Sequence, residues 1–196
     1  MAIAAPVSVG RTDRREIDAR VGMTFFLASW GMVFLTLFFS AAVLRLRSET
    51  WPPLGSRVLP IAVPAINTAL LALSSVILRR GVRAMEARES RRLSLSLAAT
   101  LLLGSLFLGL QAQIWSDLWR SGMRMQDGTY EALFWALTTF HGVHVLAGLG
   151  LLLWILPIPR RPQLDVRARI RVRSVAMFWH FVDVAWLATF LVVYVV

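Results

Sequence analysis

The sequence contains no cysteine in 196 residues. That excludes disulfides, thiolate-bound zinc and iron–sulfur clusters. Histidine is nearly absent too, since His141, His144 and His180 are all there are. Carboxylates are scarce where the chain is apolar: Asp183 is the one acid deep in any apolar run. A carboxylate-bridged di-iron site needs several Glu residues and lacks them here, and no triad for nucleophilic catalysis can be assembled. Internal repeats and low-complexity segments are missing. So is a cleavable signal: the first apolar run has 24 residues, longer than a signal-peptide core, and no small-residue cleavage site follows it. The basic head before that run also holds Asp13, Glu16 and Asp18, which argues against a transit peptide.

What the chain has in quantity is apolar surface. Hydrophobic residues make up 57% and charged ones 16%, and the mean hydropathy of +0.64 is too high for an ordinary soluble domain. Five runs are free of charge or nearly so: 21–44, 58–78, 93–115, 132–156 and 174–196. Each reaches the roughly 20 residues that a helix needs to cross ~30 Å of hydrocarbon. None shows the alternation of a barrel strand, and unpaired backbone is intolerable in lipid. The expected fold is therefore all-α, an integral membrane bundle of five transmembrane helices. Residues 1–20 form a basic cytoplasmic segment, and 21–196 a single transmembrane domain.

The formal net charge of +10 invites a nucleic-acid reading, but its placement argues against one. All 21 basic residues are arginine, and they lie outside the apolar runs. The head holds four, loop 79–92 six and loop 157–173 six, whereas the two alternate loops hold five together (Arg45, Arg47, Arg57, Arg120 and Arg124). The positive-inside rule then puts the N-terminus in the cytoplasm and, after five crossings, the C-terminus outside. The arginines are read as topology signals and contacts to phospholipid headgroups.

The histidines are the candidate site. His141 and His144 lie three apart in the fourth run, sharing a helical face with Gly148 and Leu152. His180 and Asp183 are likewise three apart in the fifth. A bis-histidine haem needs two residues at similar depth. At 1.5 Å per residue, His180 lies ~9 Å, His144 ~18 Å and His141 ~22 Å from the cytoplasmic ends of their helices. The depths match poorly, and Asp183 is the only carboxylate near enough to help a metal. His141, His144, His180 and Asp183 are therefore expected to form polar ties between helices four and five, with Asn67 bonding at mid-depth in helix two. Trp51, Trp115, Trp119, Tyr130 and Tyr194 populate the outer interface as an aromatic belt.

Two stretches carry a resemblance. Thr138-Thr139-Phe140-His141-Gly142-Val143-His144 and Trp179-His180-Phe181-Val182-Asp183-Val184-Ala185-Trp186 are similar to the T-G-F-H-G-x-H and W-H-F-V-D-x-x-W motifs of the cytochrome c oxidase subunit III family. Trp51-Pro52-Pro53, Pro64 to Thr68, Gln111 with Trp115, and Asp127 to Tyr130 agree with it in order. Five helices resemble the shorter bacterial form, which lacks the first two of seven. The resemblance implies a subunit of a haem–copper terminal oxidase in the bacterial cytoplasmic (inner) membrane. Such enzymes reduce oxygen to water and translocate protons. Within them this subunit carries no cofactor, packs on subunit I among the other oxidase subunits, binds phospholipid, and supports proton uptake and stability. Haems and copper belong to its partners. The counts agree, since a catalytic subunit needs six histidines and an electron-entry copper site two cysteines. Three positions depart from the family, where Trp30, Ile114 and Arg173 replace expected Glu residues. The departures leave open an alternative in the same family, an accessory subunit of a nitric-oxide reductase. A transporter or haem-binding protein is the reading from another class, but the repeats and broken helices usual in transporters are lacking.

Overall fold

The computed structural model describes residues 11–51, 53, 61–160 and 164–195. Five long helices account for most of them: α1 (Arg11–Arg47), α2 (Ala62–Glu86), α3 (Ser90–Arg120), α4 (Thr129–Ile155) and α5 (Val166–Phe190). All five are long and apolar enough to cross a membrane, and no strand occurs among the described residues. A 3₁₀ turn, Ile158–Arg160, follows α4, and a π-helical turn, Leu191–Val195, extends α5.

Four helices run well beyond their apolar cores. α1 begins ten residues before the expected start, so the basic head from Arg11 onward is helical. α2 continues past its apolar run through Arg79–Glu86. α3 gains a turn at each end, and α5 starts eight residues early, with the Asp165 carboxylate capping the Ala168 N–H at 2.8 Å. Arginine explains the excess. It is a strong helix former, and its long stem lies along apolar surface while the guanidinium stays in water. The expected start of helix two at 58–60 lies outside the described residues.

Only three residues separate α2 from α3. Arg88 adopts the left-handed conformation with φ 59°. The Glu89 N–H reaches the Ala84 carbonyl at 2.9 Å and the Arg88 N–H the Met85 carbonyl at 3.1 Å. This is a Schellman stop with arginine where glycine is usual.

α5 sits at the centre, packed on α1, α2 and α4, while α3 joins α2 to α4. Half of the apolar span of α4 and of α5 is buried within the chain, against 11% for α1, which lies at the periphery. The core is built on fully buried Trp179, Trp186, Phe107 and Phe134. Trp179 occupies a slot cut by two glycines. A Cβ added at Gly104 would stand 2.5 Å from its Cη2, and one at Gly148 2.9 Å from its Cε3. Small residues let helices close around a large one, the usual way to gain packing where lipid supplies no hydrophobic drive between helices.

Candidate functional site

Three hydroxyls inside the bundle share one device. A hydroxyl donates to a carbonyl one turn back in its own helix and accepts an indole N–H from a neighbouring helix. Thr138 Oγ1 donates to the Phe134 carbonyl at 2.7 Å and accepts from Trp115 Nε1 at 3.1 Å. Ser74 Oγ donates to the Leu71 carbonyl at 2.6 Å and accepts from Trp179 Nε1 at 2.9 Å. Thr68 Oγ1 donates to the Pro64 carbonyl at 2.8 Å and accepts from Trp186 Nε1 at 2.9 Å. Each of these hydroxyls thus spends its proton within its own helix and pairs an indole N–H that a medium without water would otherwise leave unmet. Two of the three pairs join α5 to α2, and the third joins α3 to α4.

The residues singled out from sequence take several places around this seam. Asn67 is fully buried and donates Nδ2 to the Phe107 carbonyl at 3.3 Å, linking α2 to α3. His180 Nδ1 shares a hydrogen bond of 3.0 Å with Ser75 Oγ. The same hydroxyl faces the Asp183 carboxyl group, whose Oδ1 has no hydrogen-bond partner among the described residues. Ser75 thus stands between His180 and Asp183. The expectation that these two tie helix five to helix four is corrected: they face α2. A shared helical face follows from spacing, but the identity of the facing helix does not.

His141 and His144 also depart from the expected ties. His141 is fully buried and packs among rings, 5.0 Å from Trp186 and 6.0 Å from Phe107 between centroids. Neither of its ring nitrogens has a hydrogen-bond partner among the described residues. His144 Nδ1 bonds the Phe140 carbonyl of its own helix at 2.8 Å. Its ring meets Trp30 edge-on at 4.7 Å and Phe34 at 5.3 Å, both on α1. His144 therefore joins α4 to α1 through aromatic contact. Among the described residues no three His, Asp or Glu side chains converge as a metal-ligand group.

The three departing positions each have a structural account. Trp30 covers His144 and also reaches Phe140 at 6.0 Å. Ile114 lies buried in the core. Arg173 joins three helices at the arginine-rich end, with Nη1 2.6 Å from Glu16 Oε2 on α1 and Nη2 3.1 Å from Glu86 Oε1 on α2. Neither the indole–hydroxyl seam nor the two acids of Arg173 was singled out from sequence. The spacing of Ser74 and Thr68, six apart on α2, against Trp179 and Trp186, seven apart on α5, was the available signal.

A shallow apolar groove of about 620 Å³ runs between α1, α4 and α5 near the arginine-rich end. Phe26, Gly150, Leu151, Trp154 and Phe178 line it, and Arg171 closes one end with its guanidinium 5.2 Å above the Trp154 ring.

Residues 9–196 match the family described as cytochrome c oxidase subunit III. Among curated relatives, cytochrome c oxidase subunit 3 of Synechocystis sp. is 32% identical over 174 residues, covering 88% of this chain and 73% of the relative. The protein of the same name from Thermostichus vulcanus is 33% identical over 180 residues, covering 91% and 88%. That from Locusta migratoria is 33% identical over 183 residues, covering 89% and 68%.

Proposed function

Because the chain belongs to the cytochrome c oxidase subunit III family, we propose that it is the supporting subunit III of a haem–copper respiratory oxidase and carries no cofactor of its own. The observation that carries this reading is the use of its intramembrane polar groups. Trp115, Trp179, Trp186, Asn67 and His180 are engaged between helices, and His141 is sealed among rings. Such groups hold a bundle together, as a supporting subunit requires. The redox centres then belong to the partner subunits, with subunit I as the packing partner. The five spans support a multi-pass protein, and the arginine distribution supports a cytoplasmic membrane with the N-terminus inside.

Lipid binding is part of the proposal. The groove beside Trp154 suits an acyl chain, and Arg171 at its end suits a phosphate. Support for proton uptake is indirect here. Trp30, Ile114 and Arg173 cannot relay a proton, so the contribution is to hold the catalytic subunit and its lipid in place. Those same three positions favour a second reading, an accessory subunit beside a nitric-oxide reductase.

Deleting the chain from its host tests the role. The haem absorbance of the membranes is expected to stay, while oxygen consumption decays sooner during sustained turnover. Decay of nitric-oxide consumption instead moves the chain to the second reading. Loss of haem absorbance in step with the chain contradicts both.

A further inference from the structure

A second pocket, of about 530 Å³, opens on the outer side of the α2–α3 hairpin, away from the groove beside Trp154. Arg80 and Arg83 of α2 and Arg92 of α3 line it, with Ala84, Ala87 and Ser96 as its small-residue floor. Its one carboxylate, Glu89, is taken by Arg92 at 2.8 Å. Arg80 and Arg83 have no carboxylate within salt-bridge distance among the described residues. Three guanidiniums therefore face one acid in a concave site. Two features hold the walls in place. The Schellman stop at Arg88 fixes the turn, and α2 meets α3 so closely that a Cβ added at Gly81 would stand 2.5 Å from Ser96 Cβ.

From this geometry we propose that the pocket is a phosphate-binding site. Arg80 and Arg83 provide the forked, charge-assisted donors that match a phosphate group, and the Ser96 hydroxyl lies within the same lining. The phosphate is carried either by an anionic phospholipid headgroup or by a soluble phosphate. Position favours the headgroup. The pocket begins where the apolar run of α2 ends at Leu78, and Leu95 of its rim is 60% exposed, an apolar surface for the first part of an acyl chain. The site does not depend on which oxidase or reductase the chain serves.

The test compares the full chain, purified in mild detergent with whatever accompanies it, against R80Q/R83Q. Two probes are used: phosphatidylglycerol, counted by native mass spectrometry after passage through phosphatidylglycerol-containing vesicles, and inorganic phosphate, measured by equilibrium dialysis. R120Q/R124Q, at the opposite end of the bundle, removes the same two charges and controls for net charge. With a headgroup as ligand, the double variant retains one phosphatidylglycerol fewer, or binds it at least about tenfold more weakly, and inorganic phosphate does not displace it from the unaltered chain. With a soluble ligand, the unaltered chain binds inorganic phosphate, the double variant does not, and lipid counts agree. Equal binding of both probes by the two proteins overturns the proposal. If the double variant does not fold, Ala87→Trp, which fills the pocket and keeps every arginine, is read by the same outcomes.

Discussion

Replacing Gly104 by alanine probes the slot that holds Trp179. The new methyl carbon would lie 2.5 Å from Trp179 Cη2 and 2.8 Å from Cζ2. Carbon atoms prefer about 3.5–4.0 Å, so something must yield by roughly 1 Å. The indole cannot slide freely, because Gly148 bounds its other edge and Ser74 Oγ holds its N–H at 2.9 Å. Overpacking of this kind costs about 1–3 kcal/mol. A loosened interhelical hydrogen bond in a membrane adds roughly 0.6 kcal/mol, up to about 1.7. Against these stands a gain of about 0.5–1 kcal/mol from alanine in a helix. Gly109, in the same helix, is the control: a Cβ there meets nothing within 4 Å, so G109A keeps the gain alone. G104A is thus expected to be less stable than G109A by about 2–4 kcal/mol. Unfolding by SDS in mixed micelles, followed by circular dichroism, measures the difference. Equal stability of the two variants would refute the slot.

Three further substitutions reach other parts of the account. W186F removes the donor to Thr68 and also shrinks a buried ring, a cavity cost that a cycle cancels. A double-mutant cycle with T68V should give a coupling of about 0.6–1.7 kcal/mol, and zero coupling would remove the bond from the account. R173Q breaks two ion pairs whose side chains are 30–55% exposed, so it should cost no more than about 1 kcal/mol. R173E sets a third carboxylate beside Glu16 and Glu86 and should cost more, with a penalty that shrinks as salt is added; a salt-independent penalty in thermal melts would contradict the ionic reading. R88G relieves a non-glycine residue in the left-handed region and should stabilise by about 1 kcal/mol in the same SDS titration, whereas a loss would mean that Arg88 makes a contact worth more than its strain.

The five helices were legible because length and hydropathy alone decide what can cross hydrocarbon. Their ends were not. Residues 166–173 are charged, and hydropathy reads charge as loop, yet arginine-rich turns extend a helix readily once its interior is fixed. The histidines show the limit for the site. His180 and Asp183 share a face by spacing, as expected, but a face has no named partner until helices are placed, and Ser75 on α2 proved to be the group between them. His144 was expected among polar ties and instead meets Trp30 and Phe34 on α1. Arg173 shows the converse. It stood out as a departure from a family pattern, and its acids, Glu16 and Glu86, lie 157 and 87 residues away in sequence, where no local pattern links them.

The central claim is that this chain supports redox centres held by others. The most direct measurement is to solubilise membranes gently, capture the chain, and record both the subunit composition and the optical spectrum of what is captured. The account predicts a haem–copper oxidase subunit I in equal amount, with haem absorbance that follows that partner when the two are separated. Haem in equal amount with the isolated chain and no such partner would contradict it.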